Sequence, residues 1–163
     1  MTSGSELPLP PPAGATIDQL RQLLGRRLGP SDWLEIGQER IDAFTRATDD
    51  PQWIHIDPVR AAAGPFGTTI AQGYLTMSLM VPLTAQIPFP LDPPPTMAIN
   101  YGLDRLRFPA PVPSGSRVRA WFEVRDVSEV PGGAQIVRLV TIEVEDSAKP
   151  ALVAETVTRL LWT

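Results

Sequence analysis

Ile70-Ala71-Gln72-Gly73-Tyr74-Leu75-Thr76-Met77-Ser78-Leu79-Met80-Val81-Pro82-Leu83-Thr84-Ala85-Gln86 is the stretch on which the fold turns. It holds no charged residue, so a helix built from 70–86 is apolar on nearly all sides and belongs inside the molecule. Pro82 kinks that helix or ends it. Downstream the pattern changes. The runs 97–101, 105–108, 117–127, 134–145 and 152–161 are rich in β-branched and aromatic residues, often alternating, and read as strands. Val118, Ala120, Phe122 and Val124 share one face of their strand. Arg117, Arg119, Trp121, Glu123 and Arg125 share the other. Pro131-Gly132-Gly133 joins two long strands into an antiparallel hairpin, and 146–150 makes the next turn. Strands segregated from helices give an α+β fold. One uncharged helix beside a long antiparallel sheet requires the sheet to wrap around it.

Upstream, Pro8, Pro10, Pro11 and Pro12 exclude a helix interior, and 1–14 reads as a disordered or extended arm. A helix starts at Thr16, where Gln19 three residues on completes a capping-box pattern. Ile17, Leu20, Leu24 and Leu28 continue it at helical spacing until Gly29-Pro30. A short strand follows at 32–36, then a helix over Gln38–Thr48. Pro51 and Pro58 bracket 50–57, which reads as a loop or irregular turn. A short helix over 58–63 has Pro58 near its first position. Five prolines in 88–95 mark a boundary between helices and strands. No internal repeat occurs, and 15–163 reads as a single domain.

Composition excludes several classes of function. The 163 residues carry 14 Lys+Arg against 18 Asp+Glu, a net charge of −4, with neither the basic excess nor the basic stripe of a nucleic-acid-binding domain. Cysteine is absent, which removes disulfides, thiolate metal sites and a Cys nucleophile together. A single His excludes a multi-histidine metal site. No apolar run approaches the roughly 18–20 residues of a membrane helix, and the N-terminus lacks the pattern of a secretory signal. The expectation is a cytoplasmic protein with no nucleic-acid or membrane partner. Phosphate loops, dinucleotide fingerprints and nucleophile elbows are also missing. Arg105 and Arg107 near Tyr101 read as solvated strand charges.

Two features carry chemistry. The first is Asp49-Asp50-Pro51-Gln52-Trp53-Ile54-His55-Ile56-Asp57-Pro58, which puts the only His five residues after Asp50. His titrates near neutrality and is the usual general acid or base, and a nearby carboxylate can fix its tautomer or share a water with it. The same residues also suit a surface His in a turn, with aspartates capping the neighbouring helices. The second feature is Gly73 at the start of the apolar helix. Its backbone N–H can face an oxyanion with the helix dipole behind it; a plain helix-packing glycine is the other reading.

Three blocks then resemble one family. They are Ala47-Thr48-Asp49-Asp50-Pro51-Gln52-Trp53-Ile54-His55-Ile56-Asp57-Pro58, Gly64-Pro65-Phe66-Gly67-Thr68-Thr69-Ile70-Ala71-Gln72-Gly73-Tyr74-Leu75-Thr76, and Asn100-Tyr101-Gly102-Leu103-Asp104-Arg105-Leu106-Arg107-Phe108 with the Pro109-Ala110-Pro111-Val112 that follows. In order and spacing they resemble the MaoC-like dehydratases, or R-specific enoyl-CoA hydratases, closest to the subgroup that includes nodulation-protein-N-like proteins. The resemblance implies the hot-dog fold, an antiparallel sheet wrapped around one long buried central helix. It implies that Asp50 and His55 hold and activate a water. That water adds across the trans-2 double bond of an enoyl thioester to give an (R)-3-hydroxyacyl thioester, or leaves in the reverse dehydration. It implies that Gly73, eighteen residues after His55, offers its N–H to the thioester oxygen. Gln52, Gln72, Tyr74 and Tyr101 fall at substrate-binding positions. No metal and no cofactor are expected, the substrate is an acyl-CoA or acyl-carrier-protein thioester, and the assembly is a homodimer.

This sequence departs from the family pattern at three places. Gln52 stands where many members have Asn, Trp53 where they often have Pro, and Gln72 where a His commonly precedes the glycine. Two other functions compete. A hot-dog acyl-CoA thioesterase usually carries a carboxylate on or near the central helix, and 70–86 has none. A non-catalytic acyl-binding partner subunit would have no need of Asp50 and His55 together.

Overall fold

The computed structural model describes residues 13–162. Four helices precede the long one: α1 (Ala13–Arg21), α2 (Gln38–Thr48), α3 (Trp53–Ile56) and α4 (Pro58–Ala62). Two short strands, β1 (Arg27–Leu28) and β2 (Leu34–Ile36), lie between α1 and α2. The long helix consists of α5 (Gly73–Ser78) and α6 (Met80–Thr84). Four long strands close the chain: β3 (Met97–Arg107), β4 (Ser116–Val130), β5 (Gly133–Val144) and β6 (Leu152–Leu161). They form one antiparallel sheet in the order β1-β4-β5-β6-β3, with β2 also on β4.

The helix fills the hollow of that sheet, as the hot-dog arrangement requires. Leu75, Leu79 and Leu83 pack with Val118, Ala120, Phe122 and Val124 of β4, Val140 and Ile142 of β5, and Leu152 and Ala154 of β6. Alternation along β4 therefore places its apolar residues as expected, up to a register shift between Val124 and Asp126. Ile17 and Leu20 of α1 close one end of the sheet against Ala134, Ile136, Leu160 and Trp162.

The structure corrects or sharpens four local expectations. First, the long helix begins at Gly73 and not at Ile70. Ile70 N–H bonds the Ile54 carbonyl (3.0 Å) and Ala71 N–H the Val112 carbonyl (2.8 Å), which holds these residues extended. Second, Pro82 does not end the helix but interrupts it one turn earlier, the milder of the two expected outcomes. Leu79 N–H reaches the Leu75 carbonyl and Leu83 N–H the Leu79 carbonyl, each at 3.1 Å. Pro82 has no N–H to give Ser78, so the regular pattern lapses at Leu79 and resumes at Met80. Nor is the helix buried all round: Tyr74 and Val81 are 66% and 53% exposed in the single chain.

Third, α1 stops at Arg21. Gly25 takes φ +72°, its N–H bonds the Val124 carbonyl (2.9 Å), and Arg27 and Leu28 pair with Glu123 and Phe122. The helical spacing of Leu24 and Leu28 was a coincidence of apolar residues meeting a strand. The expected arm over 1–14 lies outside the described residues except for Ala13 and Gly14, which begin α1. Fourth, within 50–57, expected as a loop or irregular turn, α3 makes one regular helical turn.

Candidate active site

Helix α2 aims the segment that follows it. Asp49 ends the helix with φ +53°, and its N–H closes on the Thr45 carbonyl. Pro51 forbids a further helical turn. Residues 53–56 coil once as α3, with His55 N–H on the Gln52 carbonyl at 2.9 Å. Asp57 then caps α4, its carboxylate accepting from Arg60 N–H at 2.9 Å. Asp49 thus ends α2 through its backbone, and the Asp57 carboxylate is spent on the start of α4. Asp50 is left facing the histidine.

His55 is 6% exposed. Its Nδ1 lies 2.7 Å from the Ile70 carbonyl oxygen. A carbonyl only accepts, so Nδ1 carries the proton, and in the neutral ring Nε2 keeps its lone pair. Nε2 faces Asp50 Oδ2 at 3.9 Å. That gap exceeds a direct hydrogen bond, yet one water oxygen about 2.8 Å from each atom spans it. The Asp50 side chain is 43% exposed, so it meets solvent while the imidazole does not.

Gln38 is the positioning residue that sequence reading missed. Its Nε2 donates to the His55 carbonyl and to Asp42 Oδ1, both at 2.7 Å, and its Oε1 accepts from Thr69 Oγ at 2.6 Å. It ties α3 to the segment leading into α5. A polar residue at the first position of a helix was its only signal in the sequence.

Beside His55 lies a cavity of about 420 Å³, lined mainly by apolar groups that include Ile54, Phe66, Ile70, Thr76 and Phe108. Gly73 is on its wall. A Cβ at that position would sit 3.0–3.2 Å from the Phe108 ring, so a side chain here would push into the cavity wall. As the first residue of α5, Gly73 has an N–H without an acceptor inside the helix.

The remaining expected site residues are placed differently. Gln52 is exposed and contributes its carbonyl to the α3 turn. Gln72 is only 2% exposed and turns away from the cavity. Its Nε2 donates to Thr45 Oγ (2.8 Å) and to the Ile41 carbonyl (3.3 Å), so it joins α2 to the start of α5. This corrects the expectation of ligand contact. Tyr74 is exposed and meets Phe108 edge-on at 6.4 Å, at the rim. Tyr101 sits on β3 with the Arg159 guanidinium 3.6 Å over its ring. It is not part of the cavity wall at His55, which corrects its expected role within one chain.

The chain is similar to known proteins. The chain matches the MaoC like domain over residues 19–146. It is 49% identical over 145 residues to 3-hydroxyacyl-thioester dehydratase Z of Mycobacterium tuberculosis, covering 88% of this chain and 95% of that one. It is 44% identical over 138 residues to nodulation protein N of Rhizobium leguminosarum bv. viciae, covering 83% and 84%. The (R)-hydratase from A. caviae involved in PHA biosynthesis superposes with a TM-score of 0.68 at 27% identity, covering 84% of this chain and 96% of that one. With the domain matched over most of its length and its buried His beside a wrapped helix, the chain belongs to the MaoC-like domain family.

Proposed function

We propose that this protein is a hydro-lyase, an (R)-specific enoyl-thioester hydratase that also runs in reverse as a 3-hydroxyacyl-thioester dehydratase. The observation that carries the reading is the His55 ring. Its Nδ1 is committed to the Ile70 carbonyl and its Nε2 is turned to Asp50, on the wall of an apolar cavity. The names of the M. tuberculosis dehydratase and the A. caviae hydratase support it.

In this scheme one water sits between Asp50 Oδ2 and His55 Nε2. One of the two groups takes a proton from it as the oxygen bonds to C3 of the enoyl thioester. The C2–C3 π electrons move toward the thioester carbonyl, whose oxygen gains negative charge. The Gly73 N–H at the helix start stabilises that charge. A proton then reaches C2 from the same face, and the thioester is restored. Atoms balance as substrate plus water, with no electron acceptor. The carrier is CoA or an acyl-carrier protein.

The active form is a homodimer in this reading. Among the described residues β3 is the last strand of the sheet and has no partner on its outer side, and Met97, Ile99, Tyr101 and Leu103 on it are 39–56% exposed. An apolar unpaired edge invites a second copy. The test is a single preparation. The purified chain is sedimented, then mixed with a short trans-2-enoyl-CoA while the conjugated absorbance is followed and the product's chirality is read. Two-chain particles forming (R)-3-hydroxyacyl-CoA are expected. Release of free thiol in place of hydration, or acyl-CoA binding without turnover across chain lengths, overturns the reading.

A further inference from the structure

Position 138 breaks the rule that builds the sheet. Along β5, Ala134, Ile136, Val140, Ile142 and Val144 are buried on the inner face, the first two against α1 and the rest against the long helix. Residue 138 has the same parity and is arginine. Its neighbours across the sheet are Val124 on β4 and Thr156 on β6. An arginine in an apolar face costs desolvation unless something answers its charge.

Little does so within this chain. One terminal nitrogen, Nη2, lies 3.2 Å from Thr158 Oγ, and the guanidinium carbon stands 5.2 Å from the centre of the Phe122 ring. Nε is buried with no partner, and no carboxylate pairs with this guanidinium among the described residues. Burial alone lowers the group from its ordinary value. Arginine still holds its proton, so the charge stays.

The guanidinium faces open space. It lines two adjoining cavities of about 400 and 500 Å³ between the helix and strands β3, β5 and β6, each also walled by Val81, Thr84 and Asn100. The first lies further along the same helix than the cavity at His55, which Gly73 and Thr76 line, and is walled by Met77, Met80 and Val81. From Gly73 to Val81 the helix rises about 12 Å. A thioester held at Gly73 with its chain running along the helix thus leads toward Arg138.

We propose that Arg138 selects acyl groups that carry a carboxylate at their far end, so that this enzyme acts on mono-thioesters of unsaturated dicarboxylic acids. The inference rests on the hydratase reading above. A guanidinium in an otherwise apolar groove matches a carboxylate by two parallel N–H···O bonds, and a plain alkyl end would leave it unanswered. Thr158, Thr84 and Asn100 add hydroxyl and amide groups around the same spot.

The test compares trans-2-enoyl-CoA substrates of six to ten carbons with the same chains bearing a terminal carboxylate. For wild type, kcat/KM is expected to favour the carboxylate at one chain length by roughly 10- to 100-fold, the worth of a charge-assisted bond. Arg138→Met should abolish that preference while turnover of the plain substrate persists, and Arg138→Lys should restore part of it. Wild-type turnover without any preference overturns this inference and leaves the hydratase reading standing. No hydration of either series overturns both. Should Arg138→Met lose all CoA substrates equally and spare a pantetheine thioester, the arginine serves the CoA phosphates and the proposal fails. It fails as well if Arg138→Met changes only the sedimentation, because the residue then answers a carboxylate of a second copy.

Discussion

The two faces of the sheet treat charge in opposite ways. On the outer face, arginines and tryptophans interleave. Arg27 lies 4.1 Å over Trp121, and Arg119 lies 4.5 Å from Trp33 and 5.7 Å from Trp121. Glu143 answers both Arg119 (3.0 Å) and Arg27 (3.2 Å), and Glu145 answers Arg117. On the inner side, Arg138 meets only the Thr158 hydroxyl and the Phe122 ring and leaves Nε without a partner, and beside the sheet His55 turns Nε2 to Asp50 across a gap too wide for a direct bond. Charges that close on one another serve the fold. Charges held and left unmatched serve a ligand. Substitutions inside should therefore cost function and little stability, and those outside the reverse.

The largest effect that would sharpen this contrast is at Asp50 and His55, the proposed catalytic pair. Asp50→Asn and His55→Gln should each lower kcat by about 10²- to 10⁴-fold, the usual share of general acid–base catalysis. Thermal melting should stay near wild type for Asp50→Asn, because that side chain is 43% exposed and caps nothing. Steady-state rates beside a melting curve check both halves. Retained activity in both variants would break the assignment. A large loss of stability in Asp50→Asn would move Asp50 to the structural side of the comparison.

Gly73→Ala comes next. The added methyl meets the Phe108 ring at 3.0–3.2 Å, so the ring or the helix start must shift by a few tenths of an ångström. The N–H remains but is displaced relative to His55. A loss of roughly 10- to 100-fold in kcat is expected, since small displacements of a positioned donor are costly in rate. Pairing with Phe108→Leu, which trims the ring, should recover part of the rate. Such recovery separates a positional effect from an unfolded start of α5.

The sequence made the architecture plain for a physical reason. Alternation along β4 and β6 and the absence of charge in 70–86 report burial, and burial decides how sheet and helix pack. The limits of the elements were less legible. The extended hold on Ile70 and Ala71 comes from Ile54 and Val112, both distant in sequence. The family resemblance singled out Asp50 and His55, while the residues alone left Asp49, Asp50 and Asp57 open; the structure adds that the Asp57 carboxylate caps α4. Gln72 appeared to be a ligand residue because it precedes Gly73, yet one step along the chain points it at α2 instead. Arg138 was open to discovery by parity alone, as the one charged residue on the inward positions of β5.

The smallest effect tests the outer face. Burial pushes the Glu143 carboxyl up, but the Trp121 indole, the Arg119 bond and the charges of Arg119 and Arg27 outweigh it, so the carboxyl ends below its ordinary range. A depressed native value stabilises the fold above the unfolded value of about 4.3. That contribution fades as pH falls through the lower native value. Glu143→Gln should then cost under about 1 kcal/mol at neutral pH, as a partly exposed pair does. The difference from wild type should shrink in unfolding curves taken progressively below pH 4. For Glu143→Gln the rate of hydration at neutral pH should equal that of wild type. A Glu143→Gln variant with full stability and reduced turnover would mean that the outer ladder reaches the reaction through β5, whose residue 138 points into the groove on the opposite face.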